Sequence, residues 1–314
     1  MTGKVSFLIA AYNEQDFILE CIESCLTQSY KEIEVVVVDD GSTDKTSELV
    51  RGLSDDRVKF SRFEVNRGKV AAYNFAFSMS TGAYISLVGA DDVNERDRVE
   101  RSIRTLREGN FDLVVGDLEA CDVNMNPISV IPAARGWDIF DLMVGNRLAG
   151  GAIFFRREFA KIVFPIPEQL RFEDWWIGFI ASLRGRCGYV NFTVTRYRQH
   201  DSNDIGLAGS TTERRIKDWR RHDAYYLAFH DYLKNNKDIS SVDLLAQLDA
   251  CRRLKKMYLA EGIWERMKVG FVWGRFPRGL KGGSLYLTAM LFGRRGYDLL
   301  VDLRRSMKPI SLSK

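Results

Sequence analysis

The sequence predicts an α/β protein: a doubly wound, mostly parallel sheet followed by a helical C-terminal region. Three observations predict it. Short β-rich apolar runs alternate with helical patterns through about the first 115 residues. Several of those runs break directly into polar or acidic loops, as parallel strands do at their carboxyl ends. From Thr212 onward the apolar residues return with a period near 3.6, as in Leu244, Leu248, Cys251, Leu254 and Tyr258.

The elements follow in order. Residues 4–10 (KVSFLIA) and 33–38 (IEVVVV) read as strands. Between them Phe17, Ile18, Cys21, Ile22, Cys25 and Leu26 fall on one helical face, which completes a βαβ unit. A helix is predicted from about Thr43 to Leu53, a strand over Val58–Phe63, and a helix from about Lys69 to Met79. The next strand ends at Val88, with Tyr84, Ile85, Leu87 and Val88 apolar as a parallel strand buried on both faces requires. Short strands are expected between Phe111 and Ser129, a helix near 137–145, a strand in GGAIFFRRE and a helix after Glu173. No internal repeat or low-complexity linker interrupts the chain.

At 314 residues the chain exceeds one small core, so a division at about 210 is expected: residues 1–210, in halves of about 1–115 and 116–210, and a basic helical region over 211–314. A composition 46% hydrophobic and 28% charged is that of a soluble globular protein, and no run of about 18 apolar residues predicts a membrane span. The start, MTGKVSFLIAAYNE, lacks the apolar core and cleavage site of a signal peptide, which points to the cytoplasm. Five cysteines (Cys21, Cys25, Cys121, Cys187, Cys251), with no Cys-x-x-Cys, read as buried free thiols. Charge is uneven. Residues 1–210 hold 24 Lys and Arg against 31 Asp and Glu, whereas residues 211–314 hold 22 against 11. The excess after Cys251 is interleaved with Trp264, Phe271, Trp273 and Phe276. That pattern fits attachment to an anionic membrane surface, or a solvated basic face on packed helices.

Candidate chemistry gathers in the loops after the predicted strands. Asp91 and Asp92 repel each other unless a cation lies between them and a ligand, so they read as a corner for Mg²⁺ or Mn²⁺, or else Asp92 caps a helix through Arg96, Val99, Ile103 and Leu106. Ala10-Ala11-Tyr12-Asn13-Glu14 offers an aromatic ring to stack on a base. Asp39-Asp40-Gly41-Ser42-Thr43-Asp44 offers Asp40 to a base or ribose, with an Asx turn or capping by Ser42 or Thr43 as the alternative. Asn66-Arg67-Gly68-Lys69 sets two cations before a helix, where a phosphate binds. Asp174, in RFEDWW, is a candidate base or the N-cap of a helix over Trp175–Leu183. Neither a Gly-x-Gly-x-x-Gly run nor a Gly-Lys-Ser/Thr phosphate loop is present.

In order and spacing AAYNE, VVVVDDGSTDKT, NRGKVAAYNFAFSMSTGAYISLVGADDV and RFEDWW resemble the family 2 inverting glycosyltransferases of the GT-A fold, over about residues 4–200. The resemblance implies a Rossmann-like GT-A sheet and metal-dependent transfer of a sugar from a nucleoside diphosphate to an acceptor hydroxyl on a glycan or lipid-linked glycan in surface polysaccharide synthesis. A non-catalytic sugar-binding scaffold and a nucleotidyltransferase are the rival readings, and no nucleic-acid partner is expected. By the resemblance Ala10 and Tyr12 line the base, Asp40 bonds it and Arg67 lies near the diphosphate. Glu14, Asp92 and Arg198 join the donor site, and Asp91, with His200, holds the metal. Glu173-Asp174 matches the acidic pair whose aspartate is the base. The family's metal motif has an aspartate where this chain has Gly89, a departure that bears on the ribose side of the site.

Overall fold

The structure, a computed structural model, describes residues 3–200, 212–239 and 242–259. The chain divides into two compact units, Met1–Ala208 and Gly209–Lys314. The first unit opens with β1 (Val5–Ala11), α1 (Ile18–Leu26), β2 (Ile33–Asp39), α2 (Thr46–Arg51), β3 (Val58–Arg62), α3 (Lys69–Met79) and β4 (Tyr84–Gly89). Then follow β5 (Val93–Asn94), α4 (Arg98–Glu108), β6 (Leu113–Cys121), β7 (Pro127–Ile131), α5 (Ile139–Val144), a 3₁₀ turn Gly150–Ala152, β8 (Ile153–Arg156), α6 (Arg157–Val163), α7 (Glu173–Arg184) and β9 (Cys187–Arg198).

One sheet carries these nine strands in the order β3-β2-β1-β4-β8-β6-β9-β5, with β7 paired to β6. β1 pairs in parallel with β2 and β4, and β2 with β3. β8 is antiparallel to both β4 and β6, so β6 regains the direction of β4, and β9 runs parallel to β6. The parallel majority brings the carboxyl ends of β1, β2, β4 and β9 to one edge: Ala10 lies beside Gly89, Ala11 beside Asp39, and Cys121 beside Arg198. The core is Val5, Phe7 and Ile9 of β1 and Val35 and Val37 of β2, packed on Ile18, Cys21, Ile22 and Cys25 of α1. These strands lack polar alternation because both of their faces are covered.

Several capping alternatives offered by the sequence fail, and two elements went unread. The helix expected from about Arg96 starts at Arg98, because Val93 and Asn94 pair with Arg196 and Thr195 of β9, and Glu95 N–H donates to the Val194 carbonyl (3.1 Å). Its N-cap is Asp97, so Asp92 caps nothing. Nor do Ser42 or Thr43 cap α2, whose N-cap is Lys45. α7 includes Glu173 and is preceded by Phe172 as N-cap, so Asp174 lies inside the first turn. The long parallel β9 and the short α6 had no clear periodic signal.

Arg98 ties these strands together from inside. Fully buried, it donates to Thr195 Oγ1 (2.7 Å), to the Leu87 and Ile153 carbonyls and to Asn94. Burial lowers its pKa to about 10. The guanidinium thus clamps β4, β8 and β9 just below the acidic loop that follows β4. All five cysteines are free, four of them buried, as the spacing predicts.

In the second unit α8 (Thr212–Asn235) packs on α9 (Val242–Leu259), and Arg252 grips Asp223 through two bonds of 2.6 and 2.7 Å. The basic aromatic segment after Leu259, on which the membrane reading rests, lies outside the described residues. No helix among the described residues is long and apolar enough to cross a membrane.

Candidate functional site

The loops after β1 and β2 are knitted together before any ligand arrives. Asn13, in a left-handed conformation, donates its N–H to Ser42 Oγ (2.9 Å) and accepts Thr43 N–H (2.8 Å). Asp39, fully buried, accepts Ser42 N–H and the Ser47 hydroxyl and pairs with Arg62 at 3.5 Å. Asp40 accepts the N–H groups of Arg67 (2.7 Å) and Gly68 (2.8 Å), which fixes the third loop against the second. Burial raises its pKa despite these bonds. A carboxylate has lone pairs beyond those two bonds, so Asp40 keeps acceptor capacity. Tyr12, the residue before Asn13, is 44% exposed. Arg67 faces outward, half exposed, over the Phe63 ring (4.6 Å) and 3.5 Å from Glu168. Gly41 has φ +76°, and a Cβ there would lie 2.7 Å from Asn66 N and Val65 C. Gly41→Ala is therefore expected to cost about 1–3 kcal/mol, read as a lower urea midpoint with unchanged slope. An unchanged midpoint would mean that the loops are not locked in this way.

The acidic corner after β4 has a built surround. Asp91 Oδ2 is 3.1 Å from His200 Nε2, and this hydrogen bond holds the imidazole above its usual pKa. The His200 ring packs on Phe17, centroids 5.0 Å apart. Asp92, 3% exposed, accepts the Arg198 N–H (3.1 Å), and burial, then repulsion from Asp91, drives its pKa well up. The Arg198 guanidinium donates to the Asp91 carbonyl (2.8 Å), to the Val123 carbonyl and to Glu20, and lies 4.7 Å from the Phe17 ring. It thereby holds the corner in shape. Glu14 is raised to about 8 by burial and then by Asp91. Gly89 is part of this packing: a Cβ there would lie 2.6 Å from Asp92 Oδ2 and 2.9 Å from Asp91 Oδ1. An aspartate at 89 would displace both carboxylates.

The second acidic group stands at the start of α7. Glu173 is 1% exposed, and its Oε1 lies 3.4 Å from Lys69 Nζ. Asp174, half-buried, accepts the Trp175 N–H (2.8 Å) and bonds the Asn146 side chain. Burial, then repulsion from Glu173, raises Asp174 to about 7, against the pull of Lys69 and Asn146. Such a carboxyl can exchange a proton at neutral pH. Gly150 makes room for Glu173, since a Cβ there would lie 2.2 Å from its Oε1, while Gly151 stands beside Asp92, where a Cβ would be in ordinary contact at 3.4 Å from Oδ2.

Asp91, Asp92, Glu14, Arg198 and His200 thus form one cluster, and Glu173 and Asp174 a second. Lys69 feels the charge of Glu173, Asp174 and Asp91, and so lies electrostatically between the two. Asp40 and Arg67 are joined through backbone, and Ala10 sits beside Gly89. Sequence reasoning missed Asn146 and the Gly150-Gly151 pair, for which only a glycine doublet before a strand was a signal. It placed Lys69 with the phosphate loop and not against Glu173. Among the described residues no three His, Cys, Asp or Glu side chains are gathered as a complete metal cage. The donor set that is present, one carboxylate and one imidazole with acidic neighbours, suits a divalent cation that takes its remaining ligands from water and phosphate.

Comparison with known proteins adds family to geometry. The family model described as Glycosyl transferase family 2 matches residues 6–161. A protein named as an uncharacterized glycosyltransferase of Haemophilus influenzae is 30% identical over 174 residues, 54% of this chain and 68% of the relative. The succinoglycan biosynthesis protein ExoO of Rhizobium meliloti is 29% identical over 186 residues, 59% of this chain and 53% of the relative. The crystal structure of S. aureus TarS 1-349 superposes with a TM-score of 0.63 at 16% identity, covering 97% of this chain and 92% of that one. The same protein in complex with UDP-GlcNAc superposes with a TM-score of 0.60 at 18% identity, over 93% of this chain and 92% of that one. These structures share the fold.

Proposed function

The chain belongs to glycosyl transferase family 2, and from that membership we propose an inverting single displacement that moves a sugar from a nucleoside diphosphate to an acceptor hydroxyl. Asp174 acts as general base, and a divalent cation, magnesium or manganese, binds at Asp91 and His200. The enzyme reading, rather than a non-catalytic scaffold or a nucleotidyltransferase, follows from the family and its glycosyltransferase relatives. Work on a glycan or lipid-linked glycan is in keeping with a relative named for succinoglycan biosynthesis. UDP-GlcNAc is the first donor to try, because a structural neighbour is seen with it.

One observation carries the mechanism: Asp174 is a half-buried carboxyl raised to about 7, and Lys69 feels the charge of both Asp174 and Asp91. As the acceptor oxygen bonds to the anomeric carbon, the bond from that carbon to the diphosphate oxygen breaks and the hydroxyl proton passes to Asp174. Neutralising the leaving diphosphate is the chemistry that a divalent cation at Asp91 and His200 supplies. Tyr12 gives the base a stacking face, Asp40 an acceptor, and Arg67 a cation at the rim beside the diphosphate. Asp92 and Arg198 keep the corner in shape, and Glu14, whose carboxyl is raised to about 8, would give up its proton when a cation binds there.

A panel of nucleotide sugars, each with manganese and then with excess chelator, tests the reading through melting temperature. A ligand at a hundred times its Kd adds about 2.7 kcal/mol to the folded state. The expected result is a rise with one donor class that chelator abolishes. A panel in which no nucleotide sugar moves the transition would overturn the assignment.

A further inference from the structure

We propose that Lys69 is a positioning residue for the transfer step: it is the shared cation that lets Glu173 and Asp174 stand side by side as carboxylates, leaving Asp174 able to take the acceptor's proton. This rests on the base reading of Asp174 given above.

The root of Lys69 is fixed on both sides. It is the first residue of α3, after Gly68 at φ +95°, and the N–H groups of residues 67 and 68 are held by Asp40. Its ammonium lies 3.4 Å from Glu173 Oε1 and 5.7 Å from the centre of the Tyr73 ring. Tyr73 is itself pinned by its hydroxyl to the Val88 carbonyl (2.9 Å). Glu173 is the more deeply buried partner, and its Oε2 has no hydrogen-bond partner among the described residues. A carboxylate so placed is costly unless a cation compensates it. Lys69 is the cation within ion-pair reach of it among the described residues.

Burial and a neighbouring like charge both disfavour the second carboxylate of an adjacent pair, and a nearby cation offsets them. Asp174 feels the charge of Glu173 from its own helix and of Lys69 from α3, and it bonds the neutral Asn146 side chain from the loop after α5. Lys69 in turn touches Glu173 and Tyr73 and feels the charge of Asp174 and Asp91. Burial pulls its proton off, but those four groups hold the ammonium well above its ordinary range, so it stays a cation throughout the working pH range. Glu173 therefore makes Asp174 more basic, Lys69 makes it less so, and the balance leaves it near neutrality.

The test follows the Asp174 carboxyl carbon by NMR across pH, in the full chain labelled at aspartate Cγ and assigned with Asp174→Asn. In Lys69→Met the titration midpoint should rise by about one pH unit or more, the usual effect of losing a neighbouring opposite charge. Lys69→Arg should stay near the wild type, and Glu173→Gln should fall below it. Lys69→Gln serves if the methionine variant does not fold. Hydrolysis of UDP-GlcNAc, with water as acceptor, should show the acidic limb of its pH–rate profile moving in the same directions. A midpoint in Lys69→Met equal to the wild type overturns the inference and leaves the base assignment standing. Full activity in Asp174→Asn overturns the base assignment whatever Lys69 does.

Discussion

Asp174→Asn is expected to bind the nucleotide sugar as the wild type does and to transfer it about 10²- to 10⁴-fold more slowly, the usual worth of acid–base assistance. The amide keeps the shape of the carboxyl and can still accept the Trp175 N–H (2.8 Å), so the first turn of α7 should survive. What it loses is the ability to take a proton. The same assignment fixes the pH dependence of the wild type. With its carboxyl raised to about 7, Asp174 is a base only above that pH, so the rate should fall about tenfold per unit on acidification below it. A stopped assay of product formation, beside donor titration by melting temperature, separates the two effects. Loss of donor affinity with an intact rate constant would make Asp174 a structural member of the turn.

The second large effect is expected at Asp91. Asp91→Asn should lower turnover on the order of 10³-fold and abolish the difference between manganese and chelator in donor-dependent stabilisation, because the leaving diphosphate loses charge neutralisation worth several kcal/mol. The fold should persist, since the Asp91 backbone carbonyl that receives the Arg198 Nε–H (2.8 Å) is unchanged. Circular dichroism with isothermal titration of manganese decides the matter. Manganese binding to the variant with wild-type affinity, or metal-independent transfer by the wild type, would remove Asp91 from the metal site.

Much of the fold was legible because its first half is built from local regularities. The apolar strand Ile33–Asp39 and the helical face Ile18, Cys21, Ile22 and Cys25 can be read without any long-range contact, since that strand is buried throughout and needs no alternation. The second half was less legible. β9, Cys187–Arg198, mixes buried and part-exposed positions and reaches β6 with shifts in register, which blurs any period of two. The alternative reading of Asp92 as a helix cap fails because Val93 and Asn94 pair with β9 and delay the helix to Arg98, which nothing local reveals.

By itself the sequence determined the strand and helix order of about the first 115 residues, the resemblance to its family, and the acidic types offered at each strand end, because all of these are written in neighbouring residues. The tertiary structure alone decided partnership. His200 meets Asp91 across 109 positions of sequence, and Lys69 meets Glu173 from a different loop. The first of these contacts follows from the sheet order: β8 runs antiparallel to both β4 and β6, so β6 and β9 end at the same edge as β1, β2 and β4. The charge of a carboxylate is a property of its residue type. Whether it holds a proton, a lysine or a histidine depends on burial and on what the sheet order brings within a few ångströms of it.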